Sequence, residues 1–416
     1  MTNAWSEWRA GWPVVAVSGL AMLVSTSHMY TFGLFIPKIE TETAWSRSQV
    51  TAGLLIVSCV SVVLAPGVGY LVDRFGPRTL ALPGVMLFCT GLASLSLAGS
   101  NVLSWYGLWL LVALGSVCIK PTVWTSAMGA LFTSSRGLAF AVALAGTGLG
   151  GSLLPLLTEM LLQAYGWRTT YVLLGGGLAI LVVPLVYLFF RVGGTPGRTA
   201  STGIALTGLD RKEALLSFKY FRLASAALLI TCTVTALTVH FVPMTVSKGH
   251  ARADMVQIAG LIGLASMTGR IFSGYLLDRI DGRIVGSVAL GLPAIACMML
   301  LQMDASADVA LAAALIIGLS LGAEIDVIAY LCSRHFGMRN YGVLFGTIGG
   351  LLSLGGGLGP FVGSFIFDET GSYRLMWMIL IPISLYTTTA VASLGKYPRF
   401  EAPADLPAPQ QASALA

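Results

Sequence analysis

Apolar residues run along the chain in stretches of about twenty, separated by short polar or charged turns. A hydrocarbon core about 30 Å thick takes about 20 helical residues to cross. Twelve stretches meet that length: 11–36, 48–72, 80–99, 103–131, 136–163, 168–191, 220–246, 255–278, 284–302, 307–334, 341–365 and 372–394. A segment inside lipid must satisfy its own backbone hydrogen bonds, and helices do so. The pattern therefore predicts an all-α membrane protein with twelve transmembrane helices.

The pattern is also written twice. Gly69-Tyr-Leu-Val-Asp73-Arg74-Phe-Gly-Pro-Arg78 returns as Gly274-Tyr-Leu-Leu-Asp278-Arg279-Ile-Asp-Gly-Arg283, 205 residues later. At the same offset Arg47 maps to Arg252, Phe140 to Phe345, Pro155 to Pro360 and Gly166 to Gly371. A parallel repeat in an apolar chain predicts two pseudo-symmetric six-helix halves that rock about a central site, the layout of a transporter. Residues 1–191 form the first half and 220–395 the second. A Gly-, Thr- and Ser-rich, then basic, linker over 192–219 joins them, and a Pro- and Ala-rich tail over 396–416 is expected to be disordered.

Composition narrows the class. With 56% hydrophobic and 10% charged residues the chain is unlike a soluble domain, where charge runs near a quarter. With the N-terminus inside, sixteen of the 24 Lys and Arg fall in cytoplasmic segments and six (Lys38, Arg47, Arg168, Lys248, Arg252, Arg374) outside. That bias predicts a multi-pass protein of the inner or plasma membrane with both termini cytoplasmic, and it explains the net charge of +6 without a nucleic-acid partner. Met1–Ala10 lacks the features of a cleavable leader, so the first helix is expected to direct insertion. The six cysteines all fall within spans and read as small core residues rather than disulfides or zinc ligands.

Four ionisable side chains lie deep in spans: Lys120, Arg270, Glu324 and Asp326. Each costs about 2.5–3.5 kcal/mol at the bilayer centre, so each needs a partner or a wet cavity. Arg270 lies eight residues from Asp278, and Asp326 eight from Arg334, which puts both about 12 Å from their helix ends. Equal depth makes them a pair, and Ser266, Arg270 and Ser273 share a helix face. A guanidinium can grip a carboxylate through two bonds, so Arg270 is either a substrate contact or one arm of a permanent salt bridge. Glu324 and Asp326 stand about 200° apart on their helix; either is an available proton carrier, since burial raises a carboxyl pKa. Lys120 precedes Pro121, with Ser116 and Trp124 one helical turn away. His28, with Ser25 and Thr31 as neighbours, and the Thr231, Thr235, Thr238 stripe near His240 offer hydrogen bonds and a titrating group, although threonines bonded to their own helix carbonyls are commoner.

The two charged turns (Asp73, Arg74, Arg78 and Asp278, Arg279, Arg283) read as gates that clamp neighbouring helices on the cytoplasmic side. The glycine-rich faces at Gly146–Gly151 and Gly355–Gly359 read as sliding packing surfaces, since no G-x-x-x-x-G-K-[ST] loop is present. Four histidines scattered at 28, 240, 250 and 335 assemble no catalytic or metal constellation, so neither an enzyme nor a metal or other cofactor is expected.

The signature G-x-x-x-D-R-x-G-x-R, present as Gly69, Asp73, Arg74, Gly76 and Arg78 with its second copy, resembles that of the major facilitator superfamily, and the likeness covers nearly the whole chain. Ala44-Trp-Ser-Arg-Ser-Gln49, Ser135-Arg-Gly-Leu-Ala139, Gly322-Ala-Glu-Ile-Asp326, Ser333-Arg-His-Phe-Gly337 and Asp368-Glu-Thr-Gly-Ser-Tyr373 are similar to the bacterial monocarboxylate and oxalate/formate branch. The resemblance implies the major facilitator fold, with spans 1, 4, 7 and 10 lining the cavity, which makes Lys120 a second anion contact or the partner of Glu324. It also implies a substrate-binding arginine at Arg270. The family's animal members carry an aspartate where this chain has Ser266 and a lysine where it has Thr31, so coupling falls to Glu324 or Asp326. The expected activity is symport of a small organic anion, a monocarboxylate, with protons, by a monomer in the lipid bilayer. Uniport, anion exchange, a neutral or amphiphilic cargo and a non-transporting sensor are the alternatives.

Overall fold

The computed structural model describes residues 4–132, 136–190, 208–277, 279–302, 307–337 and 339–398. The first half is carried by α1 (Ala4–Tyr30), α2 (Phe32–Thr43), α3 (Arg47–Phe75), α4 (Pro77–Ser94), α5 (Val102–Cys118), α6 (Pro121–Leu131) and α7 (Arg136–Phe189). After the short α8 (Arg211–Leu216) come α9 (Phe218–Val246), α10 (Arg252–Leu277), α11 (Gly282–Leu301), α12 (Ala307–Phe336), α13 (Tyr341–Thr370) and α14 (Arg374–Ala392). Among the described residues, eleven continuous apolar segments are long enough to cross a membrane. One of them, α7, turns at Gly166 (φ 73°) and crosses twice, which makes the expected twelve. Its repeat partner Gly371 (φ 66°) makes the corresponding turn between α13 and α14, with a different ψ (8° against 173° at Gly166). Both positions need a positive φ, which glycine adopts without a steric cost.

Two crossings are broken. The first is interrupted at Thr31, between α1 and α2. The fourth breaks before Pro121, which lacks an N–H and pushes its predecessor out of the helical region, leaving Lys120 extended (φ −63°, ψ 158°). This corrects the expectation that Lys120 shares a continuous helical face with Ser116 and Trp124. Trp124 is instead buried, its indole donating to the Ile119 carbonyl at 2.9 Å across the break.

The halves meet where α3 packs on α13 and α7 on α10. Helices in lipid gain little from apolar contact alone, so close approach through small residues supplies the attraction. A Cβ on Gly357 would stand 2.5 Å from the Leu54 carbonyl oxygen, and one on Gly263 at 2.5 Å from that of Gly148. Moving toward the face that holds the N-terminus, the contact fades. A Cβ on Gly350 would meet only Val62 at 4.0 Å, and one on Gly346, Gly342 or Gly274 nothing within 4 Å. The halves therefore close at the far face and part toward the terminal face.

Ion pairs hold the far face. Arg252 of the second half donates to Glu159 of the first at 2.6 and 2.8 Å and to the Leu34 carbonyl at 2.9 Å. Its repeat partner Arg47 is held by Glu40 at 2.6 and 2.8 Å, while Asp368 of the other half accepts from the backbone N–H groups of Arg47 and Ser48 at 2.9 and 2.7 Å. Of the linker, α8 and its flanks dock on the second half through Leu209 N–H to the Phe336 carbonyl at 3.0 Å and Asn340 to the Leu209 carbonyl at 2.8 Å. The expected disorder of the tail concerns residues beyond 398, outside the described set. The core reading holds for Cys89, Cys297 and Cys332, which are buried, but not for the exposed Cys59.

Candidate functional site

Glycines on α10 and α12 decide where the charged groups meet. Gly269 lies against the Leu319 backbone, a Cβ on Gly318 would stand 2.5 Å from the Ile262 carbonyl oxygen, and one on Gly322 2.9 Å from Arg270 N. This close crossing sets Arg270 opposite Asp326, and the two are joined by one bond of 3.3 Å between Nη1 and Oδ1. Neither is sealed in: the side chains are 23% and 30% exposed. They line a mainly apolar cavity of about 910 Å³ between α7, α10 and α12, with Thr147, Ser266, Tyr275 and Tyr330 among its walls. A guanidinium has five donors, and among the described residues the Asp326 bond is the one hydrogen bond the Arg270 side chain makes.

Glu324 faces elsewhere, as the helical spacing predicts. It is 3% exposed, its Oε2 has no partner, and it stands near Thr231 of α9. Lys120 does not pair with Glu324. From the break between α5 and α6 its ammonium crosses to the second half and donates to Ser353 Oγ on α13 at 2.9 Å. Among the described residues it has no carboxylate partner, so its charge is left uncompensated. His28 lies near Lys120, edge-on to Phe88 at 5.5 Å, with Nδ1 buried and unpartnered. Neither Lys120 nor His28 lines the cavity at Arg270.

Other expected groups have bland local partners. Thr31 bonds back to the Ser27 carbonyl at 2.9 Å, Ser266 to that of Gly263 at 2.7 Å. Thr231, Thr235 and Thr238 likewise bond to carbonyls of their own helix. The glycine faces pack as read: Gly146 and Gly150 lie on α1, Gly355 and Gly359 on α9. Asp278 and the Asp73 side chain lie outside the described residues. The remaining gate residues are engaged within their own halves: Arg74 with the Tyr70 hydroxyl at 2.9 Å, Arg78 with the Tyr187 carbonyl at 2.8 Å, Arg279 over the Tyr275 ring at 3.6 Å and Arg283 with Asp281 at 2.5 Å.

Sequence reasoning missed two residues. Tyr30, the last residue of α1, stands beside Ser266 and within electrostatic reach of Arg270 and Glu324, its ring against Gly151. Its place in the polar run Ser25–Thr31 was the available signal. Ser353 carried none, since a lone serine in an apolar span is ordinary. Among the described residues no group of three His, Cys, Asp or Glu is placed to hold a metal.

Comparison with known proteins agrees with this architecture. The family described as Major Facilitator Superfamily matches residues 18–360. Monocarboxylate transporter 12 of Xenopus laevis is 23% identical over 381 residues, covering 84% of this chain and 79% of that protein. Human monocarboxylate transporter 11 is 25% identical over 387 residues, covering 89% and 79%. The oxalate:formate antiporter of Oxalobacter formigenes is 25% identical over 359 residues, covering 85% of each. Among solved structures, a bacterial homolog of the human lysosomal transporter Spinster shares the fold, with a TM-score of 0.66 at 14% identity over 95% of this chain and 94% of that one.

Proposed function

Because the chain belongs to the major facilitator superfamily and is a membrane transporter by family, we propose that it carries a small organic anion, a monocarboxylate, by alternating access in symport with protons. The observation that carries this reading is the Arg270–Asp326 pair: a guanidinium on an open cavity, held by one 3.3 Å bond. A long single bond is easily exchanged for the shorter, paired bonds a carboxylate passenger offers. The exchange frees Asp326, whose charge then lies in an apolar wall unless a proton neutralises it. Binding of anion and proton is thereby linked at one site. Lys120 adds a second positive charge from the other half, reaching across to Ser353. The names of the relatives, monocarboxylate transporters and an oxalate:formate antiporter, support an anionic cargo.

The bias of basic residues puts the terminal face in the cytoplasm. On that orientation the cavity opens inward, and among the described residues Arg74, Arg78, Arg279 and Arg283 of the charged turns are engaged within their own halves, in keeping with a gate at that face in its open state. The protein then belongs to the cell's inner or plasma membrane and works as a monomer.

The test is uptake by purified protein in liposomes across a panel of labelled carboxylates, with and without a pH gradient. Gradient-driven accumulation of a monocarboxylate is expected, abolished by Arg270→Ala and cut at least tenfold by Arg270→Lys, which keeps the charge but loses the planar fork. Asp326→Asn should retain exchange of internal for external anion while losing accumulation. Equal uptake by wild type and Arg270→Ala would refute direct anion binding, and accumulation that needs an internal counter-anion rather than a gradient would replace symport by exchange.

A further inference from the structure

The far face holds a hydrogen-bond relay whose donors and acceptors can be assigned. Arg47 is 8% exposed; its guanidinium lies over the Phe367 ring at 3.8 Å and is gripped by Glu40, and its Nη1 donates to the Tyr373 hydroxyl at 2.7 Å. The Tyr373 oxygen lies 3.1 Å from His240 Nδ1. His240 Nε2 lies 2.9 Å from the Pro360 carbonyl oxygen and 3.3 Å from Ser364 Oγ. His240 is 0% exposed and Tyr373 1%.

Two ends of this chain fix its direction. Arginine has no acceptor, so Tyr373 receives from Arg47; a carbonyl has no hydrogen, so Nε2 of His240 must carry one. Tyr373 has a single hydrogen, and the near acceptor for it is His240 Nδ1. The imidazole in the closed far face is therefore neutral, with Nδ1 accepting. A proton on Nδ1 would set it donor to donor against Tyr373 and put a second cation beside the Arg47 guanidinium. Four charged or titratable groups surround this ring or its partner Tyr373, from the elements around it. They are Arg47 on α3, Glu40 on α2, Asp368 on α13 and Tyr373 before α14. Both carboxylates are already engaged: Glu40 grips Arg47, and Asp368 accepts the first N–H groups of α3.

We propose that His240 is a proton-binding site that controls closure of the far face: neutral, it takes the Tyr373 hydrogen and so leaves that oxygen to receive Arg47 of the other half; protonated, it opposes the Tyr373 hydrogen and the Arg47 charge, weakens their bond and holds the halves apart. Because the closed face buries the ring completely, the proton must arrive and leave while the face is open. Closure thus waits for deprotonation, and acid on that side keeps the carrier open to it. The inference goes beyond the transport reading and stands whichever solute is carried.

The test is a spin-label distance between Thr41→Cys on α2 and Glu369→Cys on α13, both exposed, in full-length protein in liposomes with its six native cysteines replaced. The long-distance population should rise at least threefold as pH falls from 7.5 to 5.0. His240→Asn keeps an acceptor near the Nδ1 position but cannot be protonated, and should hold the short distance at both pH values. Tyr373→Phe removes the link by another route and should raise the long-distance population at pH 7.5 with little further response to acid. It decides the matter should His240→Asn fail to fold. An unchanged distance in the parent protein, or a full acid response in both variants, would overturn the proposal. So would a response retained in His240→Asn and lost in Asp368→Asn, which would assign the proton to that carboxylate.

Discussion

Replacing Arg252 by methionine should open the far face without touching the cavity. In the closed arrangement Arg252 gives Glu159 two bonds, at 2.6 and 2.8 Å, and a third to the Leu34 carbonyl at 2.9 Å. Their side chains are 24% and 8% exposed. Removing one partner of a buried pair costs about 3–5 kcal/mol, because the other charge stays buried and unpaired. Glu159 keeps a bond from Gln163 at 3.1 Å and Arg252 is partly wet, so about 2 kcal/mol is the fitting share. The open arrangement hydrates Glu159 and escapes this cost, so the closed-to-open ratio should fall about 30-fold, at 1.4 kcal/mol per tenfold. The assay is the rate at which a membrane-impermeant thiol reagent labels Leu34→Cys from the far side. Leu34 is 2% exposed in the closed state, so its labelling reports the open fraction. The rate should rise about 30-fold in Arg252→Met and return toward the starting value when Arg252→Glu is combined with Glu159→Arg. A rate within about twofold of the parent would show that this pair does not hold the halves together.

Gly146→Ala should lower the melting temperature in detergent, since its Cβ would land on the Gly19 carbonyl of α1 and overpacking costs about 1–3 kcal/mol. Gly177→Ala, with nothing within 4 Å, should leave it unchanged or slightly raised. Lys120→Gln keeps a donor for Ser353 but removes the charge, and should raise the KM for a carboxylate about tenfold, about 1.4 kcal/mol of lost attraction, whereas Ser353→Ala should change it less than about twofold. At the terminal face, Arg283 beside Asp281 holds that carboxyl well below its ordinary range, with Tyr397 donating to it at 2.8 Å. A lowered carboxyl pKa contributes stability above the unfolded value and loses it as pH falls through the folded one. The melting difference between the parent and Asp281→Asn should therefore be constant from pH 7 to about 4.5 and close below about pH 4.

Helix number and the halves were legible because lipid leaves the backbone few options and a span length is countable. The pairing of Arg270 with Asp326 was legible for a related reason: equal depth follows from a fixed rise per residue. The breaks were not. Pro121 was visible, yet a proline in a span often only bends it, and whether Lys120 leaves the helix depends on what its side chain reaches. It reaches Ser353, 233 residues away. His240 shows the same limit from the other side. Its surroundings are a tyrosine from the turn before α14, the Pro360 carbonyl of α13 and an arginine from the other half that bonds the same tyrosine, and no local spacing encodes that meeting.

The repeat sets turn and far-face positions apart from those of the proposed site. The former are matched across the halves. Gly166 and Gly371 both turn the chain at positive φ, Arg74 and Arg279 lie against the equivalent Tyr70 and Tyr275, and Arg47 and Arg252 both bond at the far face. The fourth and tenth crossings are not matched. Lys120 maps to Ile325 and Pro121 to Asp326, so a broken helix with a cation in one half corresponds to a continuous helix with two acids in the other. A rocking device works when its two bearings are alike, since each must make and break similar contacts in turn. A passenger with one charged end makes the opposite demand, because two identical walls cannot both be complementary to it. Divergence between the crossings that carry Lys120 and Asp326, beside paired turns and paired far-face arginines, fits that division of labour.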